Sequence, residues 1–204
     1  MKLLLPIVSV LLCMLASCNR YAKYEAMLYP IESISASRPD SALRLYEALA
    51  PQMEGAPVRV KMYYDMMITK NMVNSGAQFT SDSMIRAVAD FYDSHGEDSH
   101  RMLSRCLLGC VNLRMGNTPE ALFNLESAAG CADTAAADCD YNLLGQVYAL
   151  LAHTYLEAML PRNVLEASRL CYRYAMKAGD TLVALSGFDY MANAYISLGM
   201  PDSA

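Results

Sequence analysis

From Tyr21 onward the apolar residues of this chain recur at spacings of three and four. Ala, Leu, Met and Tyr carry the pattern, and no stretch shows the two-residue rhythm of a half-buried strand. The spacing predicts helices at Tyr21 to Ser37 (interrupted near Pro30), Pro39 to Ala50, Pro57 to Val73, Ser81 to His95 and Ser99 to Met115. It predicts four more at Pro119 to Cys131, Tyr141 to Met159, Asn163 to Ala178 and Thr181 to Leu198. Gly96, Gly116, Gly179 and Gly199 fall just past predicted helix ends, where a left-handed residue closes the last turn. Pro39, Pro119 and Pro201 fall at predicted starts, where the missing N–H costs nothing.

The first seventeen residues break this pattern. Lys2 precedes the uncharged run Leu3 to Leu15, which has the length of an export-signal core and is too short to span a bilayer. The run ends LASC, which resembles the lipobox of bacterial lipoproteins. In that family the cysteine, here Cys18, becomes the first mature residue and carries the acyl chains. The resemblance implies an exported, lipid-anchored product with residues 1–17 removed. Anchoring of that kind needs no membrane-spanning helix, because each buried methylene contributes ~0.8 kcal/mol. The residues after Cys18, NRYAKY, lack the acidic cluster of a surface-export tag, which points to the periplasmic face.

Composition narrows the function classes. The 204 residues carry a net charge of −5, and loss of Lys2 with the signal makes the remainder more acidic still. Nucleic acid is a poor partner for such a surface. Of the seven cysteines, Cys13 lies in the signal and Cys18 is the lipid site, leaving Cys106, Cys110, Cys131, Cys139 and Cys171. Cys106 and Cys110 sit one turn apart on an apolar stripe and read as small core residues. A bridge between Cys131 and Cys139 across a loop stays open. No cysteine spacing suits zinc.

The helices repeat as pairs. Leu108 to Ala121, LGCVNLRMGNTPEA, overlies Met191 to Ala204, MANAYISLGMPDSA, without gaps: Gly109 and Ala192 share a place, as do Gly116 and Gly199, and Ala121 and Ala204. A third copy, Leu151, Ala152, Tyr155 and then Ala167, needs about three extra residues around Pro161. PDSA, at Pro201 to Ala204, also stands at Pro39 to Ala42. These residues resemble the tetratricopeptide repeat, although the copies start about 40 residues apart and not 34.

The resemblance implies an all-α, tetratricopeptide-like solenoid of antiparallel helix pairs. Residues 18–98 would form degenerate N-terminal pairs, and residues 99–204 clearer repeats with an incomplete last one. Repeat-packing positions would be Gly109, Ala121, Ala152, Tyr155, Ala167, Ala192 and Tyr195, with Asn112 departing from the expected aromatic. Ala42 and Tyr46 would play the second-helix roles of Ala121 and Leu125. Side chains between the packing residues would face a groove: Arg114, Gln146, His153, Glu157, Asp189 and Asn193. The lipobox, CNRYAKYEAML, RPDSALRLYEAL and SDSMIRAVADFYDSHGED also look like the exported sensor region of repeat-containing histidine kinases and transcriptional regulators.

No catalytic constellation is legible, so the expected activity is none, and no cofactor or metal is implied. His95 and His100 flank a glycine in HGEDSH. Asp90, Asp93, Glu97 and Asp98 lack the ligand spacing of a calcium loop. The expected function is a lipid-anchored, non-enzymatic scaffold for a protein or peptide partner, in the manner of a sensory fragment. The competing expectation is a glycan- or nutrient-binding outer-membrane lipoprotein.

Overall fold

The computed structural model describes residues 21–200; the signal run, Cys18 and residues 201–204 lie outside the described residues. The protein is all-α, with nine helices and no strand among the described residues. These are α1 (residues 21–35), α2 (Pro39–Met53), α3 (Val58–Asn74), α4 (Ser83–His95) and α5 (Asp98–Arg114). They continue with α6 (Thr118–Gly130), α7 (Tyr141–Glu157), α8 (Pro161–Ala178) and α9 (Thr181–Ser197). None is long and apolar enough to cross a membrane.

Two expected breaks do not occur. Helix α1 runs through Pro30, and α2 continues past Ala50 through Pro51 to Met53. Proline removes an intrahelical hydrogen bond. In α2 the burial of Met53, only 3% exposed, favours the extra turn.

The chain divides into two compact units, one ending at Ala77 and the next beginning at Gln78. In the first, α1 to α3 share a core built around tyrosines. Tyr46 is fully buried and meets Tyr64 edge-on at 6.0 Å, and the Tyr64 hydroxyl donates to the Tyr46 backbone carbonyl at 2.7 Å. Buried Ser35 donates to Asn71 Oδ1 at 2.8 Å, and Asn71 Nδ2 donates to the Met67 carbonyl, joining α1 to α3. The Tyr46 hydroxyl, by contrast, makes no hydrogen bond of good geometry. Burial first, then the charge of Glu32, pushes its phenol up to about 12, with the Ser35 hydroxyl easing the effect.

In the second unit each helix packs on its sequence neighbours, α4 on α5, α5 on α6, and so on to α9. In addition α5 touches α7, and α7 touches α9. This is a solenoid-like stack of antiparallel pairs. Arginines fasten its first three helices: Arg105 bonds Asp93 of α4 and Asn124 of α6 (3.0 Å), while Arg86 joins Asp82 (2.6 Å) to Glu120 of α6 (3.3 Å). Of the acidic run around HGEDSH, Asp90 and Asp93 face Arg105 and Asp98 is held by Arg101. Both histidines of that loop are packing groups. His95 stacks on Phe91 at 4.7 Å and His100 on Tyr92 at 5.1 Å.

One hydrogen-bonded turn recurs and fixes the register of the repeats. After α3, α5, α7 and α9 a residue of positive φ closes the helix, at Gly76 (79°), Gly116 (78°), Met159 (57°) and Gly199 (71°). In each case its N–H bonds three residues back and the next N–H bonds five back: Ala77 to Met72, Asn117 to Asn112, Leu160 to Tyr155, Met200 to Tyr195. Gly179 ends α8 in the same way. Gly96 does not: its φ is −101°, and it is small because a Cβ there would lie 2.7 Å from the Tyr92 carbonyl.

Helices α6 and α8 begin at the same offset from this turn, at Thr118 and Pro161. No residues are therefore inserted around Pro161; Val164, fully buried, stands where Ala121 does, and Ala167 is buried about one turn further on. The longer spacing of this repeat lies instead in the loop between Gly130 and Tyr141, where Asp140 then caps α7 by accepting from Leu143 N at 2.9 Å.

Met159 holds a left-handed backbone that costs a non-glycine residue roughly 1–2 kcal/mol, and its side chain is 84% exposed. Met159→Gly should therefore raise stability by about 0.5–1 kcal/mol once the extra chain entropy of glycine is subtracted. A lower urea midpoint for the variant would contradict this.

Tyr46→Phe should leave stability at neutral pH unchanged or higher, since no good hydrogen bond is lost, whereas Tyr64→Phe should cost about 1 kcal/mol. Tyr46 ionises near 10 when unfolded and about 12 when folded, so the unfolded chain releases its proton first. Stability should hold below pH 10 and fall as pH rises towards 12. Chemical denaturation at pH 9 and 11.5 should show a smaller loss in Tyr46→Phe.

Candidate functional site

Close helix contacts are set by small residues. A Cβ on Gly109 would sit 2.7 Å from Leu125 Cγ and 3.3 Å from the Ala121 carbonyl, so α5 lies hard against α6. Two further close approaches had no counterpart in the repeat pattern. Gly145 of α7 faces the backbone of Ala175 of α8, where a Cβ would be 3.1 Å away, and Gly187 of α9 faces Ser168 and Tyr172 of α8 at 3.1 and 3.0 Å. Ala152 is fully buried, Ala192 half-buried, and Tyr155 and Tyr195 half-buried at the position that Asn112 fills in α5. Asn112 instead folds back on its own helix, donating to the Leu108 carbonyl at 2.9 Å.

With α5, α7 and α9 side by side, their outer surface carries the six groove candidates. All six, Arg114, Gln146, His153, Glu157, Asp189 and Asn193, are exposed. The structure gathers four of them. His153 Nε2 lies 3.4 Å from Glu157, and its ring is 6.2 Å from that of Tyr190 on α9. Asn193 donates to the backbone carbonyl of Asp189 at 2.8 Å. Burial, then the charges of Cys171, Asp189 and Glu157, raises the Tyr190 phenol. The His153–Glu157 pair is solvated on both sides and contributes at most ~1 kcal/mol. Gln146 stands apart, bonded at 2.6 Å to Asn142, which in turn reaches the α9 cap residue Asp180 at 3.2 Å. Arg114 lies at the far end of α5 and is not drawn into this cluster.

The opposite side of the stack is open. No Cα pair between α6 and α8 comes within 8 Å, although both pack on α7. The gap is a cleft of about 370 Å³, floored by Tyr148, Leu151 and Tyr155 of α7 and walled by Glu126 of α6 with Asn163, Glu166 and Leu170 of α8. The Tyr155 hydroxyl donates to Glu126. Burial, that hydrogen bond and the nearby Glu126 and Glu166 carboxylates all raise its phenol, and the Asn163 amide offsets them in part. Sequence reasoning found Leu151, Tyr155 and Ala167 as repeat residues and missed Glu126 and Glu166, which lie on different helices outside the repeat pattern.

No group of three or more metal-ligating side chains converges among the described residues. The five cysteines among the described residues are free thiols, so Cys131 and Cys139 are not bridged. Cys131 Sγ bonds the Ser127 carbonyl at 3.3 Å, Cys171 is buried, and Cys110 has its thiol lowered by a hydrogen bond from buried Cys106.

The second unit thus has a fold class, an all-helical solenoid-like array of helix pairs, with one polar face and one cleft. Neither a known protein family, nor a curated protein, nor a solved structure matches the chain.

Gly109→Ala should destabilise by about 1–2 kcal/mol. Overpacking against the fully buried Leu125 outweighs the better helix propensity of alanine. A melting temperature equal to or above the parent's would show that the α5–α6 contact yields freely.

Proposed function

We propose that this chain is a lipid-anchored, non-enzymatic scaffold that binds a protein or peptide partner on the face of α5, α7 and α9. In this reading it is a tetratricopeptide-type lipoprotein, tethered through Cys18 and facing the periplasm, in the manner of the sensory part of a signalling protein. The supporting observation is the exposed group His153, Glu157, Asp189 and Asn193 around half-buried Tyr190, spread over two adjacent helices whose buried sides are fixed by small residues. Mixed donors and acceptors on a rigid surface suit a partner's backbone and polar side chains, with the aromatic ring of Tyr190 as a partly buried anchor. The LASC sequence supports the tether, since acylation would hold the chain at a membrane without a spanning helix.

The test is site-specific photocrosslinking from position 193 in the native host. A discrete adduct should form and should diminish at least five-fold in the variant His153→Ala/Asp189→Ala, whose melting temperature should stay within 2 °C of the parent, as expected for surface substitutions. An adduct of unchanged yield would remove this face from the reading. Cys18→Ser should release the protein from the membrane fraction, and full retention there would overturn the lipid anchor.

A further inference from the structure

We infer that the cleft between α6 and α8 is a receptor for one cationic side chain, an arginine or lysine, of an extended peptide. Its chemistry is that of a short pocket for a charge on an apolar stem. Buried Leu151 and Ala167 line it together with Leu170 and the rings of Tyr148 and Tyr155. Two carboxylates, Glu126 and Glu166, stand on opposite walls, and none of the residues lining the cleft is basic. The volume of about 370 Å³ is at the small end of ligand pockets and has room for an arginine or lysine side chain.

Two features show that the cleft is held in shape for such a guest. Glu126 is fixed from below by the Tyr155 hydroxyl, which leaves its remaining lone pairs to accept from a cation. Tyr148 is itself held by stacking on Tyr174 at 5.6 Å, so a ring edge of the cleft does not have to be ordered on binding. A methylene stem lies on the tyrosines and leucines, and the charged head meets both glutamates, with cation–π attraction adding to the pairing. Arg169, which precedes the lining residue Leu170, donates to the Tyr195 hydroxyl at 2.9 Å. The inference rests on the scaffold reading for the identity of the guest as a peptide; the charge chemistry of the pocket stands apart from it.

The experiment uses the full chain and small probes, so its outcome does not depend on the unknown partner. Acetyl-arginine methylamide and acetyl-lysine methylamide are titrated while the Tyr148 and Tyr155 ring resonances are followed, with acetyl-citrulline methylamide as the uncharged isostere. At least one cationic probe should shift both rings saturably, bind at least ten-fold more tightly than citrulline, and weaken as salt is raised. Glu126→Gln/Glu166→Gln, which keeps side-chain volume, should weaken that probe at least ten-fold with the helical signal and melting temperature retained. If that double variant fails to fold, Glu166→Gln alone should weaken the probe at least three-fold. Equal binding of citrulline, unaltered affinity in the glutamine variants, or no saturable shift overturns the proposal. Binding of the probes should be unaffected by His153→Ala/Asp189→Ala. An unchanged photocrosslink in that variant, with the probe still bound, would therefore count against the scaffold face alone.

Discussion

Two helices can lie against each other only if the chain between them reverses within a few residues while satisfying its exposed backbone groups. Between α5 and α6 and between α7 and α8 that reversal is a single left-handed residue with the same pair of hydrogen bonds. Everything else in the second unit follows from where it places the next helix. Helices α6 and α8 start at one offset from the turn, which brings Ala121 and Val164 to equivalent buried places and lets α5 rest on Leu125 with no side chain at Gly109 between them. That constraint is geometric before it is energetic. A hairpin with a wrong turn would present its apolar stripe to water, and the neighbouring pair would have nothing to cover it.

Much of this was legible in the string. Period-three and period-four spacing placed α3 to α9 within about two residues, since long amphipathic helices with glycine or proline at their ends carry redundant signals. What misled was punctuation without context. Pro30 and Pro51 read as breaks, yet the helices run through them, α2 held by buried Met53. Met159 carries no mark of a left-handed turn, so the third repeat was aligned through Ala167 and given extra residues that belong in the loop before Tyr141. Gly96 looked like another helix-closing glycine and is small for a different reason, the Tyr92 ring and carbonyl beside it.

The polar face was legible in the same limited sense. Repeat register put His153, Glu157, Asp189 and Asn193 on one side, and the structure brings them together with Tyr190, which the pattern passed over. Arg114 and Gln146 share the exposure but not the cluster. The cleft was invisible beforehand because it is a gap between α6 and α8, and a missing contact leaves no trace in spacing. Its walls come from three helices, its charge from two glutamates forty residues apart, and its shape from α7 packing on both neighbours while they do not approach each other.

The adjacency of the second unit has a mechanical side. Because α4 to α9 touch only the next helix or the next but one, no interaction spans the stack from end to end. A chain of that kind, tugged by its termini, has no clasp whose rupture releases the whole. It should peel away hairpin by hairpin in small steps, lengthening under load while the portion still coiled keeps its face intact.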